Sequence, residues 1–564
     1  MPANTPDLFK RIYCLSRWVL PLEEKKGSAV RLSSKVFNYK EPCLSRSFRL
    51  HRPRGYLCGI GMCPNCMMRV GGTPNVRICT RRVNKLPDME IQNKLPLLDS
   101  LGLTQVFSRV LGPGFQYRHF NDSRFMSKMF FSTLKRTAGI GRVPSSVGRR
   151  SAWQRLEVDC LVIGGGYSGM KAALAAAGIG DLQTDLQSDT VLMLDSFEEL
   201  GGDFGVRWGK AKPYTEEMKS MKEEVQSMMT KINSSRRINC LCNSTAVGYY
   251  KDENCILALS EDTIYEITAK NVLVATGGHE VLPIFPNNDS PRVVLSLGLQ
   301  ILMNDGAELP SSATVVDLNG LGTLVAADLI GRGGMDSVSL VRSGSFTDKE
   351  EELASRFDIK LLPKRIISDV AGSGRVKLLS LAEGGLKEQV ADLVVICGRY
   401  QPNFELALQL GLDLQLVSEG KGVFTVKGMS GSKVSNVRAV RSFLVKDSNG
   451  EGVHVGYDTS FENKVCMDIT ADEYLRRFMN SPDSFGCICE DVSARDLCRS
   501  IDEGYDYVES LKRYTGCLTG PCQGKQCAMT VASILYMKNP HSQGFLTTTR
   551  QPIYPIPFSS LVSQ

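Results

Sequence analysis

Residues 157–180 read EVDCLVIGGGYSGMKAALAAAGIG. The run Val158–Ile163 is short and apolar, as a buried parallel strand requires. It passes directly into Gly164-x-Gly166-x-x-Gly169 and then into an alanine-rich stretch of helix formers. Strand, glycine turn and helix in that order distinguish a dinucleotide-binding fingerprint from a chance spacing of glycines. In this pattern Gly164 makes the tight turn, Gly166 lets a pyrophosphate approach the backbone, and Gly169 lets the helix lie close against the strand. The helix N-terminus then offers N–H donors and a positive dipole end to the phosphates. The rival reading is a glycine-rich turn in an unrelated α/β fold.

Working outward, TVLMLD forms a second strand ending at Asp195, where an acidic side chain can bind a ribose hydroxyl. Downstream, ITAKNVLVATGGHE sets a strand before Ala275-Thr276-Gly277-Gly278. In flavoproteins with two dinucleotide domains, such a strand end closes over the FAD. The candidate FAD contacts are therefore Gly164, Gly166, Ser168, Gly169, Asp195, Thr276 and Gly277. A second nucleotide-type unit is SSATVVDLNGLGTLVAADLIGRGG, with Gly320-x-Gly322 and Val325 in the third glycine position. A β-branched residue there is expected to crowd helix against strand, so NAD(P) at this second loop is doubtful.

The chain has 564 residues, 18 of them cysteine, which calls for several domains and for an account of the thiols. Cys160, Cys240, Cys242, Cys255, Cys397 and Cys466 read as scattered buried thiols. The others gather near the two ends. Residues 54–80, RGYLCGIGMCPNCMMRVGGTPNVRICT, place Cys58, Cys63 and Cys66 in a C-x4-C-x2-C array followed by Cys79. That is the plant-type [2Fe–2S] spacing: two irons need four thiolates, three from one tight loop and one from the following strand. Gly59 and Gly61 let the loop curl so that backbone N–H groups point at sulfur. Zinc is the rival, but zinc knuckles favour paired C-x2-C and often histidine, and no histidine lies in this loop.

Near the other end, Cys487-x-Cys489 and Cys517, Cys522 and Cys527 flank two helix signals. One starts at Ser493 with Asp496 as the capping-box acid, and the other places Val508, Leu511 and Tyr514 on one face. Cys517-x4-Cys522 and Cys522-x4-Cys527 have the same spacing. The turn Gly520-Pro521-Cys522-Gln523-Gly524, rich in exposed backbone donors, selects Cys522 and Cys527 to join Cys487 and Cys489 around a second [2Fe–2S] cluster. Cys517 remains the alternative ligand, and zinc again the alternative metal.

Charge is uneven. Residues 1–60 carry twelve Lys/Arg and four Asp/Glu, which accounts for the whole net excess of +7. No nucleic-acid-binding motif accompanies it, so a basic surface beside an anionic cluster or acidic partner is expected. No run of about 18 apolar residues is present, so no membrane span is expected. The N-terminal segment lacks a signal-peptide core, and a cytoplasmic location is expected, with a transit peptide as the weaker alternative.

Several stretches together resemble one family: HRPRG (51–55), FQYRHF (115–120), LKRTAGIG (134–141), ATGGHEVLPIFPNNDSPRVV (275–294), CICEDV (487–492), KRYTGCLTGPCQGKQC (512–527) and TTRQPIYPIP (548–557). They are similar to the α subunits of heterotetrameric sarcosine oxidase and to the corresponding subunits of hydrogen cyanide synthase, opine oxidase and dye-linked proline dehydrogenase. The resemblance implies FAD, a D-amino-acid-oxidase-type flavoprotein β subunit, with or without further small subunits, and an electron acceptor such as a quinone or carrier protein. It implies a ferredoxin-type cluster on Cys58, Cys63, Cys66 and Cys79, and one like that of bacterioferritin-associated ferredoxin on Cys487, Cys489, Cys522 and Cys527. Two departures stand out. The similarity ends at the TTRQPIYPIP tail, so no folate-binding domain is expected. Residues 436–446, NVRAVRSFLVK, also lack the Gly-Asp or Gly-Asn pair that the family places near the flavin ribityl chain.

The expected fold is α/β: a glutathione-reductase-like core of two dinucleotide domains, an N-terminal β-grasp ferredoxin-like domain and a small helical C-terminal cluster domain. The expected boundaries are 1–100 for the ferredoxin-like domain, 101–156 for a linker, and 157–295 and 401–470 for the FAD-binding domain. The second dinucleotide domain spans 296–400, and the C-terminal cluster domain and tail span 471–564. The expected function is an electron-transfer subunit of an amine or amino-acid dehydrogenase. The alternatives are a self-contained NAD(P)H:acceptor oxidoreductase and a scaffold with a dead flavin site. The histidines at 51, 119, 279, 454 and 541 are dispersed and read as structural, with His279 placed to touch the flavin.

Overall fold

The computed structural model describes residues 30–92, isolated positions between 112 and 132, 151–179, 187–371, 374–382, 384–417, five strands between 423 and 468, 473–542 and 544–556. The basic segment before residue 30, FQYRHF, LKRTAGIG and most of the expected linker lie outside these residues. The chain divides into two compact units. One comprises Met1–Ser145, Glu280–Arg399 and Ala471–Thr547, and the other Ser146–His279, Tyr400–Thr470 and Thr548–Gln564.

The second of these units is built on a seven-stranded sheet. Its two long strands, Ala152–Ile163 and Thr263–Val274, run parallel with Ile163 opposite Val274, and Ile163 is also opposite Leu194 of the strand Val191–Leu194. Three strand ends therefore lie side by side, which places Gly164, Asp195 and Ala275 at one edge of the sheet. Leu161, Val162, Met193 and Leu273 are fully buried, the continuous apolar pattern of a sheet covered on both faces. The helix Tyr167–Ala176 covers one face, packed with Met228 and Ile232 of the helix Glu216–Ser234. Thr215 caps the latter, accepting the Met218 N–H.

The other unit contains a five-stranded parallel sheet ordered Val293–Leu295, Leu393–Cys397, Ser312–Asp317, Ser337–Val341 and Lys360–Leu362. Helices Ser296–Asn304, Gly322–Gly331 and Asp348–Arg356 connect it. Its N-terminal part has the helix Leu32–Val36 and the antiparallel strands Met67–Val70, Thr73–Arg77 and Met89–Ile91. Its C-terminal part has a short hairpin, Phe485–Cys487 with Val492–Ser493, and helices Ala494–Asp502, Val508–Thr515 and Ala528–Lys538. The capping box of Ser493 and Asp496 forms as expected, and Gly516 ends the next helix in the left-handed region at φ +80°. Leu497, Leu511, Val531, Ile534 and Leu535 make a dry centre. Each such residue contributes roughly 1.5–3 kcal/mol of burial.

Among the scattered thiols, Cys160, Cys255 and Cys397 are buried, but Cys240 is exposed and Cys242 half-buried. The reason is position: the strand Ile238–Leu241 is the terminal strand of its sheet. Cys466 lies outside the described side chains. No helix among the described residues is long and apolar enough to cross a membrane.

Candidate functional site

The glycine turn of the Ser146–His279 unit is shaped by exclusion. A Cβ on Gly164 would stand 2.1 Å from the Ala275 carbonyl oxygen, and one on Gly169 would stand 1.8 Å from the Gly164 oxygen. Gly164 also needs φ +111°. The loop Gly201–Gly202 lies over the turn, with Gly201 N–H donating to Gly165 O at 2.8 Å. Beside the turn, the Ser168 hydroxyl is buried and has no hydrogen-bond partner among the described residues. An orphaned donor at a helix N-terminus, next to glycines that keep the backbone bare, fits a nucleotide pyrophosphate.

Asp195 is buried and accepts the N–H of Phe197 at 2.6 Å and the N–H of Gly165. Burial pushes its carboxyl upward, and the two N–H donors pull it back. It braces the turn from below, and each carboxylate oxygen retains a lone pair for a ribose hydroxyl. Thr276 donates to Asn403 O at 2.9 Å, while Asn403 Nδ2 returns a bond to Thr276 O at 2.7 Å. His279 Nδ1 lies 2.7 Å from Asn403 Oδ1. Asn403, which no sequence pattern marked, thus fastens the Ala275–Gly278 strand end, and the His279 ring is held by it. Gly277 takes φ +58° with nothing within 4 Å of its Cβ position, so its freedom is conformational rather than steric. A further unforeseen group in this unit is Arg207, fully buried, which pairs with Asp203 at 3.0 Å and donates to the Tyr400 hydroxyl at 3.1 Å.

The second nucleotide-type loop, in the other unit, is differently furnished. The close approach of helix to strand falls to Gly322, whose Cβ would lie 2.5 Å from Asp317 Cβ, and Val325 is accommodated with full burial. The Asp317 carboxylate accepts the N–H groups of Gly320 at 2.7 Å and Asn319 at 3.2 Å. Arg342, which also pairs with Glu350, holds Asp317 from the other side at 3.0 Å. Asp317 thus takes two N–H groups of this loop, as Asp195 takes that of Gly165 at the first, while the Thr323 hydroxyl at the start of the following helix is buried with no hydrogen-bond partner among the described residues.

Cys58, Cys63, Cys66 and Cys79 are all buried in the same unit. Cys58 shares hydrogen bonds with Cys63 and Cys79, and Cys79 with Cys66. Sharing makes ionisation unequal. Against the cost of burial, hydrogen bonds hold Cys58 low, and the bond from Cys79 holds Cys66 low, whereas Cys63 and Cys79, which give those bonds, are pushed high. The backbone N–H groups of Ile60 and Met62 point at Cys58 Sγ. Gly59 and Gly61 both take φ +75°. The loop rests on the helix Ser296–Asn304: Leu295 N–H donates to Leu57 O at 3.0 Å, and a Cβ on Gly298 would stand 2.6 Å from that oxygen.

Cys487, Cys489, Cys522 and Cys527 form a closed ring of contacts, 487 to 489 to 522 to 527 and back to 487. Cys522 receives the N–H groups of Gln526 and Gly524. Cys517 is buried beside them but shares no hydrogen bond with the four thiols, and burial pushes it up to about 12. Cys498 is a core thiol, donating to Met479 O at 3.3 Å. Among the described residues no three His, Cys, Asp or Glu side chains are set for a single metal ion. The four-thiol rings, with N–H groups aimed at sulfur, fit a binuclear group with one thiol pair per iron.

Charged side chains missed in the sequence join these loops. Arg54, fully buried, pairs with Asp289 and Asp491 and donates to Ile488 O at 3.2 Å. Arg52 adds a bidentate pair to Asp289 at 2.6 and 2.8 Å. Burial works against the Asp289 carboxylate, but Arg52 and Arg54 outweigh it and hold the group far below the usual range.

Known proteins resemble this chain in sequence and in fold. Residues 37–94 match the 2Fe-2S iron-sulfur cluster binding domain, and residues 481–564 match the sarcosine oxidase A3 domain. The sarcosine oxidase subunit alpha of Rhizobium meliloti is 24% identical over 96% of this chain and 56% of its own length. Hydrogen cyanide synthase subunit HcnB of Pseudomonas protegens is 21% identical over 72% of this chain and 97% of its own. The chain spans about half the length of the sarcosine oxidase relatives it matches. In structure, L-proline dehydrogenase from P. horikoshii superposes with a TM-score of 0.62 at 18% identity, covering 96% of this chain and 99% of that one. These define the class: a mixed α/β flavoprotein-type oxidoreductase chain with an N-terminal 2Fe–2S-type domain. Within that class, the chain is similar over most of its length to sarcosine oxidase α subunits and to HcnB.

Proposed function

We propose that this chain is the FAD- and iron–sulfur-carrying electron-transfer subunit of an amine or amino-acid dehydrogenase complex of the sarcosine, proline, opine or glycine type. It works beside a D-amino-acid-oxidase-type flavoprotein, with or without further small subunits, and delivers to a quinone or carrier protein. A cytoplasmic setting, which keeps thiols reduced, suits it. The observation that carries the reading is the gathering of Cys58, Cys63, Cys66 and Cys79, and of Cys487, Cys489, Cys522 and Cys527, into two separate buried thiol groups in a chain that also bears the Gly164–Gly169 cradle.

When bound, a flavin exchanges electrons in pairs and a [2Fe–2S] cluster takes one at a time, so the combination converts one currency into the other. The chain's own residues do the holding. Ser168 and the N–H groups of the turn receive the pyrophosphate, and Asp195 fixes the turn and faces the ribose. Thr276 and Gly277, fastened by Asn403, close the strand end over the nucleotide. The eight thiolates bind iron, N–H groups from Ile60, Met62, Gly524 and Gln526 temper the charge on sulfur, and the surrounding apolar residues exclude water.

The test is anaerobic purification with the natural partner, then flavin, iron and acid-labile sulfide analysis and EPR of the reduced sample. Four irons per chain and two rhombic signals are expected, from two [2Fe–2S] sites. A chain containing zinc and no iron, or no flavin, would refute the reading.

A further inference from the structure

Two guanidinium groups arise beside the first cysteine loop and end on the second. Arg54, four residues before Cys58, donates through Nη2 to the carbonyl of Ile488, which stands between Cys487 and Cys489, at 3.2 Å. Arg77, two residues before Cys79, donates through Nη2 to the carbonyl of Pro521, which precedes Cys522, at 2.8 Å. One arm of the second thiol ring is gripped by Arg54 and the other by Arg77. The grip is returned: Asp491, two residues after Cys489, pairs with Arg54 and accepts the N–H groups of Leu50 at 2.8 Å and Arg49 at 3.2 Å. Arg54 and Asp491 are both fully buried.

We infer that the two thiol rings form a coupled pair, in which metal binding at one holds the other in its ligating conformation, with Arg54 and Arg77 as the positioning residues that carry the coupling. This rests on the iron–sulfur reading above and goes beyond it, because two sites on one chain need not influence each other.

The physical argument is one of ordering. A loop that closes around a metal group loses backbone freedom, and the metal bonds must outweigh that loss. Each arginine spans from a segment ordered by the first ring to a backbone carbonyl of the second. With the first ring closed, Ile488 and Pro521 are already held, so less freedom remains to be lost at the second. The converse follows by linkage, since a coupling free energy acts equally in both directions. Charge-assisted hydrogen bonds between loops are strong enough that losing one changes the balance about tenfold.

The experiment uses the full chain with its partner, in five forms: parent, Cys79→Ser, Cys522→Ser, Arg77→Met and Arg77→Lys. Iron loss to a chelator is followed by visible circular dichroism, which separates the two sites, with EPR of the reduced protein alongside. Cys79→Ser is expected to speed loss from the intact second site, and Cys522→Ser from the intact first site. Arg77→Met, with all eight cysteines present, is expected to speed loss at both sites by about tenfold, and Arg77→Lys, which keeps a donor, to restore much of the retention. Flavin content should stay at the parent level in every form, which separates coupling from general unfolding. If a cysteine variant fails to fold, the Arg77 pair decides alone. Surviving sites that release iron at the parent rate, or an Arg77→Met effect confined to one site, would overturn the coupling and leave the iron–sulfur reading standing. A parent chain without iron would remove that reading and the coupling with it.

Discussion

Arg54 and Asp289 form a buried ion pair between residues 235 apart in sequence, both almost fully shielded from solvent. Arg52 shares the same carboxylate, so Asp289 sits between two guanidinium groups. Removing one partner of a buried pair leaves an uncompensated charge and typically costs about 3–5 kcal/mol. Asp289→Asn is therefore expected to destabilise the chain by an amount in that range at neutral pH, as read from chemical unfolding. The Asp289 carboxyl is held far below its ordinary value, so its contribution is complete above the unfolded-state pKa of roughly 3.9. It fades as the pH falls below that point toward the folded-state pKa. The stability gap between parent and Asp289→Asn should narrow on acidification. A gap independent of pH through that window would show that the pair does not behave as an ion pair.

Ser168 makes a prediction with two signs. Its hydroxyl is buried without a partner among the described residues, which is unfavourable in the flavin-free chain. Ser168→Ala should leave flavin-free thermal stability unchanged or slightly raised. The same change should weaken FAD binding by about tenfold, the worth of one hydrogen bond to a charged phosphate. Calorimetry on the two forms, with and without FAD, reads both numbers. Equal losses in both states would make Ser168 a packing residue.

The parts of this protein that could be read from sequence were those in which a short segment contains its own physics. The strand, turn and helix around Gly164 lie in one continuous stretch, and the glycines announce both the turn and the close approach. The Ser493 capping box is written in four consecutive residues and forms as written. What could not be read depends on partners brought together by the fold. Asn403 reaches Thr276 across 127 residues of sequence, and Arg54 reaches Asp491 across 437. Neither separation leaves a periodicity or motif, although Arg52 and Arg54 just before Cys58 and Asp491 just after Cys489 stood inside quoted motifs. The second glycine loop was misjudged in one respect. Val325 is expected to crowd the helix, whereas Gly322 supplies the close contact and Val325 is fully buried.

The hydrogen bonds of Asp317 give the third prediction. With the Gly320 and Asn319 N–H groups bonded to the Asp317 carboxylate, and Arg342 bonded to the same carboxylate, neither NADH nor NADPH should bind saturably at the second loop. Titration of either nucleotide into the flavin-loaded chain should leave the flavin absorbance unbleached and give no calorimetric heat beyond dilution. Saturable binding, or rapid bleaching, would favour a self-contained NAD(P)H oxidoreductase and require the Asp317 bonds to open.

Gly520 offers the sharpest local test of the second thiol ring. It precedes Pro521 and Cys522, and a Cβ there would stand 2.4 Å from Cys489 Cβ and 2.7 Å from a Glu490 carboxylate oxygen. Real contacts of that kind do not occur, so an added methyl must shift Cys489 and the turn before Cys522 relative to each other. Overpacking of this sort usually costs about 1–3 kcal/mol. Misplacing one of four thiolates has a larger effect on metal retention, because the ligand set is then incomplete. Gly520→Ala should remove the EPR signal of the second site and lower iron toward half the parent content, with the Gly164 cradle retaining its flavin. The first site should survive with weakened retention, since Arg77 would still bond a Pro521 carbonyl whose loop is no longer anchored by metal. A Gly520→Ala chain with both signals intact would show that Cys489 is not held against Cys522 by this turn.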